Sequence, residues 1–467
     1  MTRMLLLCVG LCLVPLCAEA AEFYVDPANG SPTGDGSTSR PWRTIQEVFD
    51  AGLVESQQWD KLPYTVQSKL VARNAGAPVR AGDTIRLRSG YHGDLLIDKY
   101  YNSGTITLAA DEGHTPQLSS VHVRSGCHWA IRGLTVSAEF SKTYQRHTLI
   151  HLESHNWGGP VHDIAVERCS LCSVADASVW TADDWDRLSC NGFQVDGSRM
   201  TIRDNRLLNV NFGISVGATD SLITGNLVEN FAGDGLRGLG NHCTFEYNTV
   251  KNCYKVNANH DDGFQSWSTG PGGVGTGEVV GVVLRGNTII NYVDLNQPYR
   301  GTLQGIGCFD GTFVDWVIEN NVIITDHWHG ITLLGARNCL VINNTVLDLN
   351  TTTPGPPWIC IGKHKNGTAP VNCIVHNNLA TAFNDATGVL EESNLKITNL
   401  AALFVDANHL DVHLLPDAPA IDAGSGTIAP KLDRDRIPRP QGKAIDIGAY
   451  EWHANDVHPV EEKATWK

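Results

Sequence analysis

Acidic and basic side chains that could transfer protons are concentrated near the middle of the 467-residue sequence. Asp234 is followed by Arg237, and His260 is followed directly by Asp261 and Asp262. Neighbouring carboxylates can bind a divalent cation, share a proton, or divide the roles of acid and base. A histidine or arginine beside them could remove a proton or bind an anionic group. These five residues are the predicted catalytic residues, and the three aspartates are also predicted Ca²⁺ ligands.

A repeated glycine places these residues in a common register. The glycines are Gly192, Gly213, Gly235, Gly263, Gly305 and Gly330. The residues before them are Asn191, Phe212, Asp234, Asp262, Gln304 and His329, and the second residues after them are Gln194, Ser215, Arg237, Gln265, Gly307 and Thr332. The residue directly after each glycine is always apolar. We therefore expect this residue to point into a core and the residues on either side of the glycine–apolar pair to point outward.

A second repeat indicates which elements carry this register. It consists of an apolar residue, two further residues, an asparagine, one residue and another apolar residue. The asparagines are Asn205, Asn226, Asn248, Asn287, Asn321, Asn344 and Asn378. The shortest steps between them are 21 to 23 residues, and the longer steps of 34 and 39 residues correspond to coils with an inserted loop.

This period predicts an all-β solenoid in which each coil contains three short strands, paired with the coils above and below. A helical solenoid would require a period of about 3.6 residues over longer segments, and the sequence lacks one. The asparagines are predicted to form an internal ladder of amide hydrogen bonds at a turn, in the left-handed conformation that asparagine tolerates.

The solenoid brings the predicted site residues onto one stripe. Because neighbouring coils lie about 4.8 Å apart, Asp234 and Asp262 are expected roughly 5 Å apart on an exposed face. Loops inserted on both sides, including the glycine-rich segment 270–277, are expected to form the walls of a groove. The predicted substrate-binding residues along this groove are Gln265, Trp267, Gln304, His327, His329 and Lys363.

Both ends of the chain carry motifs of a known group. These motifs occupy residues 23–27, 34–36, 41–46, 82–85, 418–424, 439–442 and 449–451. They resemble the two ends of bacterial proteins in the pectate-lyase-like superfamily. The resemblance covers nearly the whole chain beyond the first 20 residues, and it implies a right-handed parallel β-helix.

The resemblance implies fold better than chemistry, because the superfamily contains polysaccharide lyases, glycoside hydrolases, uronan epimerases and non-catalytic surface proteins. The first expectation is a lyase or epimerase for a uronic-acid-containing glycan. Arg237 or His260 would then remove the C5 proton, and Ca²⁺ would neutralise the substrate carboxylate. The second hypothesis is a glycoside hydrolase that uses paired aspartates. The third is a non-catalytic carbohydrate-binding or surface protein.

The N-terminus predicts that the protein is exported. Arg3, an apolar run over residues 4–16 and the sequence Ala18-Glu19-Ala20 are typical of a signal peptide, which would comprise residues 1–20. Residues 21–455 are expected to form one β-helix domain with an N-terminal capping helix over 41–51 and a C-terminal closing segment, and 456–467 a polar tail. The net charge of −15 argues against a nucleic-acid partner. The expected partner is a polysaccharide, with no membrane span, no cofactor besides Ca²⁺, and a monomeric chain.

Three cysteines are predicted to be buried thiols rather than members of disulfide bridges, and the pairing of the others is left open. Of 13 cysteines, Cys8, Cys12 and Cys17 belong to the predicted signal peptide. Cys243, Cys339 and Cys373 each lie five residues before a ladder asparagine. They are therefore expected to stack in the core as small apolar residues.

Overall fold

The computed structural model describes residues 20–291, 293–294 and 296–453. Residues 1–19 of the predicted signal peptide and the predicted polar tail 456–467 lie outside the described residues. The described chain is a parallel β-helix composed mainly of strands and turns, as the repeat predicted. Neither α-helix within it has the length and apolar character required to cross a membrane.

The coils build three faces of parallel strands. The strands of the groove face are Thr148–Glu153, Asn191–Val195, Ile214–Val216, Leu236–Gly238, Asp262–Trp267, Gln304–Asp310, His329–Leu334, Trp358–Gly362 and Ala382–Phe383. The strands of the second face are Glu22–Val25, Thr84–Leu87, Val161–Glu167, Thr201–Arg203, Leu222–Thr224, Thr244–Glu246, Val283–Arg285, Val317–Glu319, Leu340–Ile342, Ile374–His376 and Leu390–Glu392.

The third face follows the asparagine turn. Its strands are Gly90–Tyr91, Pro116–Leu118, Thr135–Ser137, Ser170–Cys172, Arg206–Val210, Leu227–Phe231, Thr249–Cys253, Thr288–Ile290, Val322–Ile324, Thr345–Leu347, Leu379–Ala380 and Leu395–Lys396. Two longer strands, Asp94–Ala110 and Ser120–Arg132, bend from the groove face onto the second face. Inward side chains from the three faces form one core that extends from Val25 to Ala380.

The remaining elements are short and lie outside the regular coils. The α-helices are Ile45–Asp50 and Ala182–Leu188, and the 3₁₀ turns are Ala138–Phe140, Leu400–Ala402 and Ala407–His409. Three strand pairs are present: Ser56–Trp59 with Leu70–Arg73, Thr269–Gly270 with Gly273–Val274, and Phe404–Asp406 with Asp411–Leu414. A three-stranded sheet consists of Glu278–Val280, Thr312–Val314 and Ala336–Arg337.

The capping helix packs on the core as predicted but is shorter than residues 41–51. Thr44 is the N-cap, and its hydroxyl accepts from the Glu47 amide while the Glu47 carboxylate accepts from the Thr44 amide. This capping box fixes the first turn at Ile45, so Pro41 lies before the helix instead of at its start. Ile45, Val48 and Phe49 are buried against the first coils.

The asparagine ladder is confirmed. At each step the backbone amide and the side-chain amide of one asparagine donate to Oδ1 of the next, at 2.9–3.1 Å, from Asn205 to Asn378. Asn394 continues the ladder at one end. At the other end, the amide of Cys169 donates to Asn205. These bonds satisfy buried turn groups that no strand partner reaches.

The predicted conformation of the ladder was wrong by one residue. The left-handed φ values, 52° to 66°, belong to the residues before the ladder asparagines: Asp204, Gly225, Tyr247, Gly286, Asn320, Asn343 and Asn377. The ladder side chains are buried, so the preceding residue, which points outward from the coil, adopts the left-handed turn conformation. A shorter second ladder was missed: Asn252 donates to Asn230, and Asn230 donates to Asn209.

The cysteine prediction is confirmed for the described residues. All ten cysteines from Cys127 to Cys373 are buried free thiols. Burial raises the pKa of the Cys243 thiol to about 11, so it behaves as a small apolar core residue rather than as a nucleophile.

The C-terminal segment packs along the outer side of the third face. Phe404, Val412 and Ile447 bury the outward side chains of Ile324 and Leu347. Two asparagine side chains at the turn also donate to this segment: Asn343 to the carbonyl of Asp446, and Asn377 to the carbonyl of Ser425. The segment therefore covers the side of the later coils.

Candidate functional site

One column of outward residues runs along the groove face. Strand pairing aligns Gln194, Ser215, Arg237, Gln265, Gly307 and Thr332 in successive coils, as predicted. The pairing extends the column towards the N-terminus through His151 and His122, which the sequence did not reveal. The apolar residues between, from Phe193 to Ile331, are buried.

The glycine column keeps this face flat. A Cβ atom on Gly263 would lie 2.3 Å from Cγ2 of Ile289 and 3.0 Å from the carbonyl oxygen of Gly305 in the next coil. Glycine is therefore required for the coils to stack here. The stacking brings Asp234 and Asp262 together, and the amide of Asp262 donates to Asp234 Oδ1 at 3.1 Å.

Asp234 forms an ion pair with Arg237. Arg237 Nε lies 2.6 Å from Asp234 Oδ2. The guanidinium carbon lies 3.6 Å from the ring centre of Phe212 and 5.4 Å from that of Trp267. Burial raises the pKa of Asp234, and Arg237 opposes that shift. Arg237 is thus held between an acid and two rings.

Asp261 has a cationic partner that sequence reasoning missed. Lys255 Nζ lies 3.1 Å from Asp261 Oδ2, an ion pair that lacks hydrogen-bond alignment. Burial raises the pKa of Asp261 to about 7 although the lysine lowers it. Lys255 lies in the irregular segment before the strand, where no repeat fixes its position.

Asp262 is paired with His260. His260 Nδ1 lies 3.0 Å from Asp262 Oδ2, and the side-chain amide of Gln265 donates to the same oxygen at 3.1 Å. Burial raises the pKa of Asp262, while the hydrogen bond to Asp262 raises the pKa of His260. These two shifts describe one proton held between the two groups, so the pair keeps a proton at neutral pH.

The predicted exposure of the aspartates was wrong. The side chains of Asp234, Asp261 and Asp262 are 3%, 1% and 0% exposed. Gly307 leaves the space for this: a Cβ there would lie 2.1 Å from Asp262 Oδ1 and 2.7 Å from the ring of Phe309. The Asp262 carboxylate therefore turns into the wall instead of facing the groove.

A cavity of about 160 Å³ opens above the carboxylates. It is lined by Phe212, Asp234, Arg237, Asn259, His260, Asp261 and Gln265. His260 is the most exposed of the ionisable groups here, with 61% of its side chain accessible. A ligand in the cavity would thus meet histidine, arginine and amide groups before it met a carboxylate.

A histidine cluster lies in the coils that follow. The ring of Phe309 lies 6.4 Å from that of His260 and 4.8 Å from that of His329. His329 stacks on His327 at 5.2 Å, and its Nδ1 lies 3.0 Å from Thr332 Oγ1. Burial lowers the pKa of His329 to about 4, which makes this imidazole neutral at neutral pH.

The other predicted binding residues do not all lie beside the paired carboxylates. Gln304 lies opposite Asp262 in the next coil. Between the predicted His327 and His329, Trp328 is exposed and stacks on Trp358, with ring centres 6.4 Å apart. Lys363 is exposed beyond the end of its strand, away from the paired carboxylates. The glycine-rich loop forms a hairpin, and His364 contacts its Gly275 carbonyl at 3.2 Å.

The three aspartates supply the hard oxygen donors that Ca²⁺ prefers. Asp261 Oδ1 and Asp262 Oδ1 are buried without a hydrogen-bond partner. Against this, Arg237, Lys255 and His260 already balance the three carboxylates. A calcium ion would have to displace those cations, so the arrangement as it stands does not fit Ca²⁺.

Comparison with known proteins supports the fold. Residues 191–353 match the family model described as right handed beta helix region. Together with the strand pairing, this match establishes the right-handed parallel β-helix that the sequence predicted. No curated protein matches the chain in sequence.

Several solved structures are similar in backbone. Pectate lyase Pel9A shares 13% identity over 93% of this chain and 97% of that chain, with a TM-score of 0.48. XylC in complex with xylose shares 10% identity over 92% and 98%, with a TM-score of 0.46. The A-module of the Azotobacter vinelandii mannuronan C-5 epimerase AlgE4 shares 12% identity over 67% and 87%, with a TM-score of 0.41.

Proposed function

We propose that the chain is an exported polysaccharide lyase or epimerase that removes the C5 proton of a uronic-acid residue. One observation carries the proposal: the groove presents a neutral histidine, His329, and a proton-holding histidine, His260, on either side of Phe309. Proton abstraction requires a neutral base near a group that can return a proton. Asp262 raises the pKa of His260, whereas burial lowers that of His329.

His329 is the proposed base. Thr332 Oγ1 accepts from Trp358 Nε1 at 3.1 Å, and its second lone pair can accept from His329 Nδ1. With its Nδ1 proton directed to Thr332, His329 keeps a lone pair on Nε2. Its lowered pKa ensures that this lone pair is unprotonated near neutrality.

The remaining groups complete the reaction. Arg237 neutralises the substrate carboxylate, which stabilises the negative charge that develops when C5 loses its proton to His329. In elimination, the C5 electrons form the C4–C5 double bond, the C4–O bond breaks, and the leaving oxygen takes a proton from His260. In epimerisation, no C–O bond breaks, and C5 takes a proton from His260 on the side opposite His329.

Burial disfavours hydrolysis by the carboxylates. A glycosidase needs one carboxyl group in contact with the glycosidic oxygen and another near the anomeric carbon. The side chains of Asp234 and Asp262 are 3% and 0% exposed. Asp234 borders the cavity, but Asp262 does not, so the two carboxyl groups are not open together to a sugar.

The test is incubation of the purified chain with a panel of acidic and neutral polysaccharides, with and without a calcium chelator. We expect new reducing ends together with the ultraviolet absorbance of an unsaturated uronide, or a change of uronate configuration detected by NMR. Reducing ends without that absorbance would show hydrolysis and overturn the proposal. Activity should survive chelation, because the three carboxylates are already paired with cations; loss of activity on chelation would show that the reaction needs a divalent cation.

His329→Ala should lower kcat by about 10²–10⁴-fold, because the base is lost. Activity of the unaltered chain should rise as pH increases through about 4, where His329 loses its proton. It should fall again at higher pH, where the His260–Asp262 pair loses its proton. His114→Ala, a surface histidine near Asp111, is the control. Full activity in His329→Ala would exclude this histidine as the base.

A further inference from the structure

A second group of ionisable side chains lies on the groove face, outside the cavity. His122, His151 and Glu153 place one imidazole nitrogen each and one carboxylate oxygen within 4.8 Å of one another. His122 Nε2 lies 2.7 Å from Glu153 Oε2, and the two imidazole rings are parallel at 4.8 Å. Among the described residues, no other group of three or more such side chains meets this spacing.

The group belongs to the same column as the candidate site. His122 pairs with His151, which pairs with Gln194, followed by Ser215 and Arg237. Three coil steps separate His151 from Arg237, a distance of roughly 14 Å. The group therefore opens onto the groove, and a ligand along the groove would pass over it.

The donor set is that of a borderline transition metal. Two imidazoles and a carboxylate are the ligands that Zn²⁺ takes in open sites, at about 2.0–2.2 Å. Such ligands lie roughly 3.4 Å apart in a tetrahedron, so a small rotation of the two rings and of Glu153 would accommodate the ion.

Neighbouring charges suit a divalent cation. Asp196 Oδ2 lies 3.8 Å from His151 Nε2, within reach as a fourth ligand or as a partner that orients the ring. Arg124, which lies opposite Glu153 in the neighbouring coil, is engaged with Asp98 at 2.9 Å. The side chains of His122, His151 and Glu153 are 24–32% exposed, which leaves one side of the group open.

We propose that His122, His151 and Glu153 form a binding site for Zn²⁺ or a similar transition-metal ion, with Asp196 beside it and an open coordination position towards the groove. This site is separate from the predicted calcium ligands. It does not depend on the proposed lyase activity, because a chain without activity would still bind the metal.

The experiment is titration of the tag-free, metal-stripped chain with ZnCl₂ by calorimetry, followed by the visible spectrum of the Co²⁺ form. We expect one tight Zn²⁺ site and the d–d bands of a nitrogen- and oxygen-bound ion. His151→Ala and Glu153→Gln should each weaken binding at least about tenfold, because loss of even an outer partner costs about 10–100-fold.

Two variants serve as matched controls. His409→Ala removes a histidine that also contacts a carboxylate, Asp406 at 2.7 Å, without a second imidazole beside it, and should leave zinc binding unchanged. Asp262→Asn should also leave it unchanged. Absence of zinc binding, or binding that Asp262→Asn abolishes and His151→Ala preserves, would overturn the proposal.

Discussion

At the scale of single residues, each acid of the candidate site has its own cation. Arg237 balances Asp234, Lys255 balances Asp261, and His260 shares a proton with Asp262. A buried carboxylate without such a partner would be strongly destabilising. The cluster is therefore close to neutral, and its effect on the groove is exerted through the cations that it holds in place.

Replacement of Asp262 by asparagine tests this coupling directly. The hydrogen bond that His260 makes to Asp262 is the largest cause of the raised pKa of His260. Asp262→Asn should therefore lower the pKa of His260 and move the alkaline limb of activity to lower pH. The measurement is an NMR titration of the imidazole protons.

The control for that titration is Asp310→Asn, whose acid pairs with Lys365 on the surface. It should leave the pKa of His260 in place. An unchanged pKa in Asp262→Asn would show that the two groups do not share a proton.

Sequence reasoning placed the residues of this cluster but not their exposure. The repeat predicted that Arg237 and Gln265 would share one column, because strand register follows from the position of the glycines. Burial of Asp262 depends on the space that Gly307 leaves beside Phe309. Lys255 approaches from an irregular loop, and no period in the sequence determines its position.

At the scale of the element, the asparagine ladder joins successive coils. The side-chain amide of Asn248 donates to the carbonyl of Ile223 and to Asn287 Oδ1, while its own oxygen accepts two bonds from Asn226. Each internal rung thus satisfies groups in the coils before and after it. Such a network is cooperative, and an interruption leaves several buried groups unpaired.

Asn248→Ala should destabilise the chain by roughly 2–4 kcal/mol, because it removes two donated bonds and leaves the two Asn226 donors without their acceptor. Urea unfolding gives the change in the free energy of unfolding. Asn366→Ala, at an exposed turn, is the matched control and should change stability little. Equal stability of the two variants would mean that the ladder contributes nothing to stability.

The period of the asparagines was enough to predict the coil. It could not show which residue of the turn carries the left-handed φ, because both the ladder residue and its predecessor tolerate that conformation in several coils. Asn320, Asn343 and Asn377 are followed directly by ladder asparagines. The second ladder, from Asn209 to Asn252, lies four residues after the first and could have been found from that spacing.

At the scale of the whole molecule, the C-terminal segment is attached to the side of the helix by buried polar contacts. Arg439 donates to Asn320 Oδ1 at 3.1 Å and to Glu451 Oε1 at 2.5 Å. Asn320 precedes a ladder residue, so the segment joins the turn where the coils are connected. Sequence patterns predicted that the segment belongs to the domain, but contacts across 119 residues have no local signal.

Arg439→Met should release this segment from the coils. The side chains of Arg439 and Glu451 are both 0% exposed, and removal of one partner from a buried ion pair costs about 3–5 kcal/mol because the other charge stays buried. Since the coils keep their own ladder and core, limited proteolysis should cut faster between residues 398 and 453 while the β-helix resists.

Arg436→Met is the matched control: it lies in the same segment but covers the ring of Tyr247 at 4.1 Å, a contact worth about 0.5–1 kcal/mol at an exposed site. Equal rates of cleavage in the two variants would show that the ion pair does not hold the segment, whereas faster cleavage in Arg439→Met alone would assign its attachment to that pair.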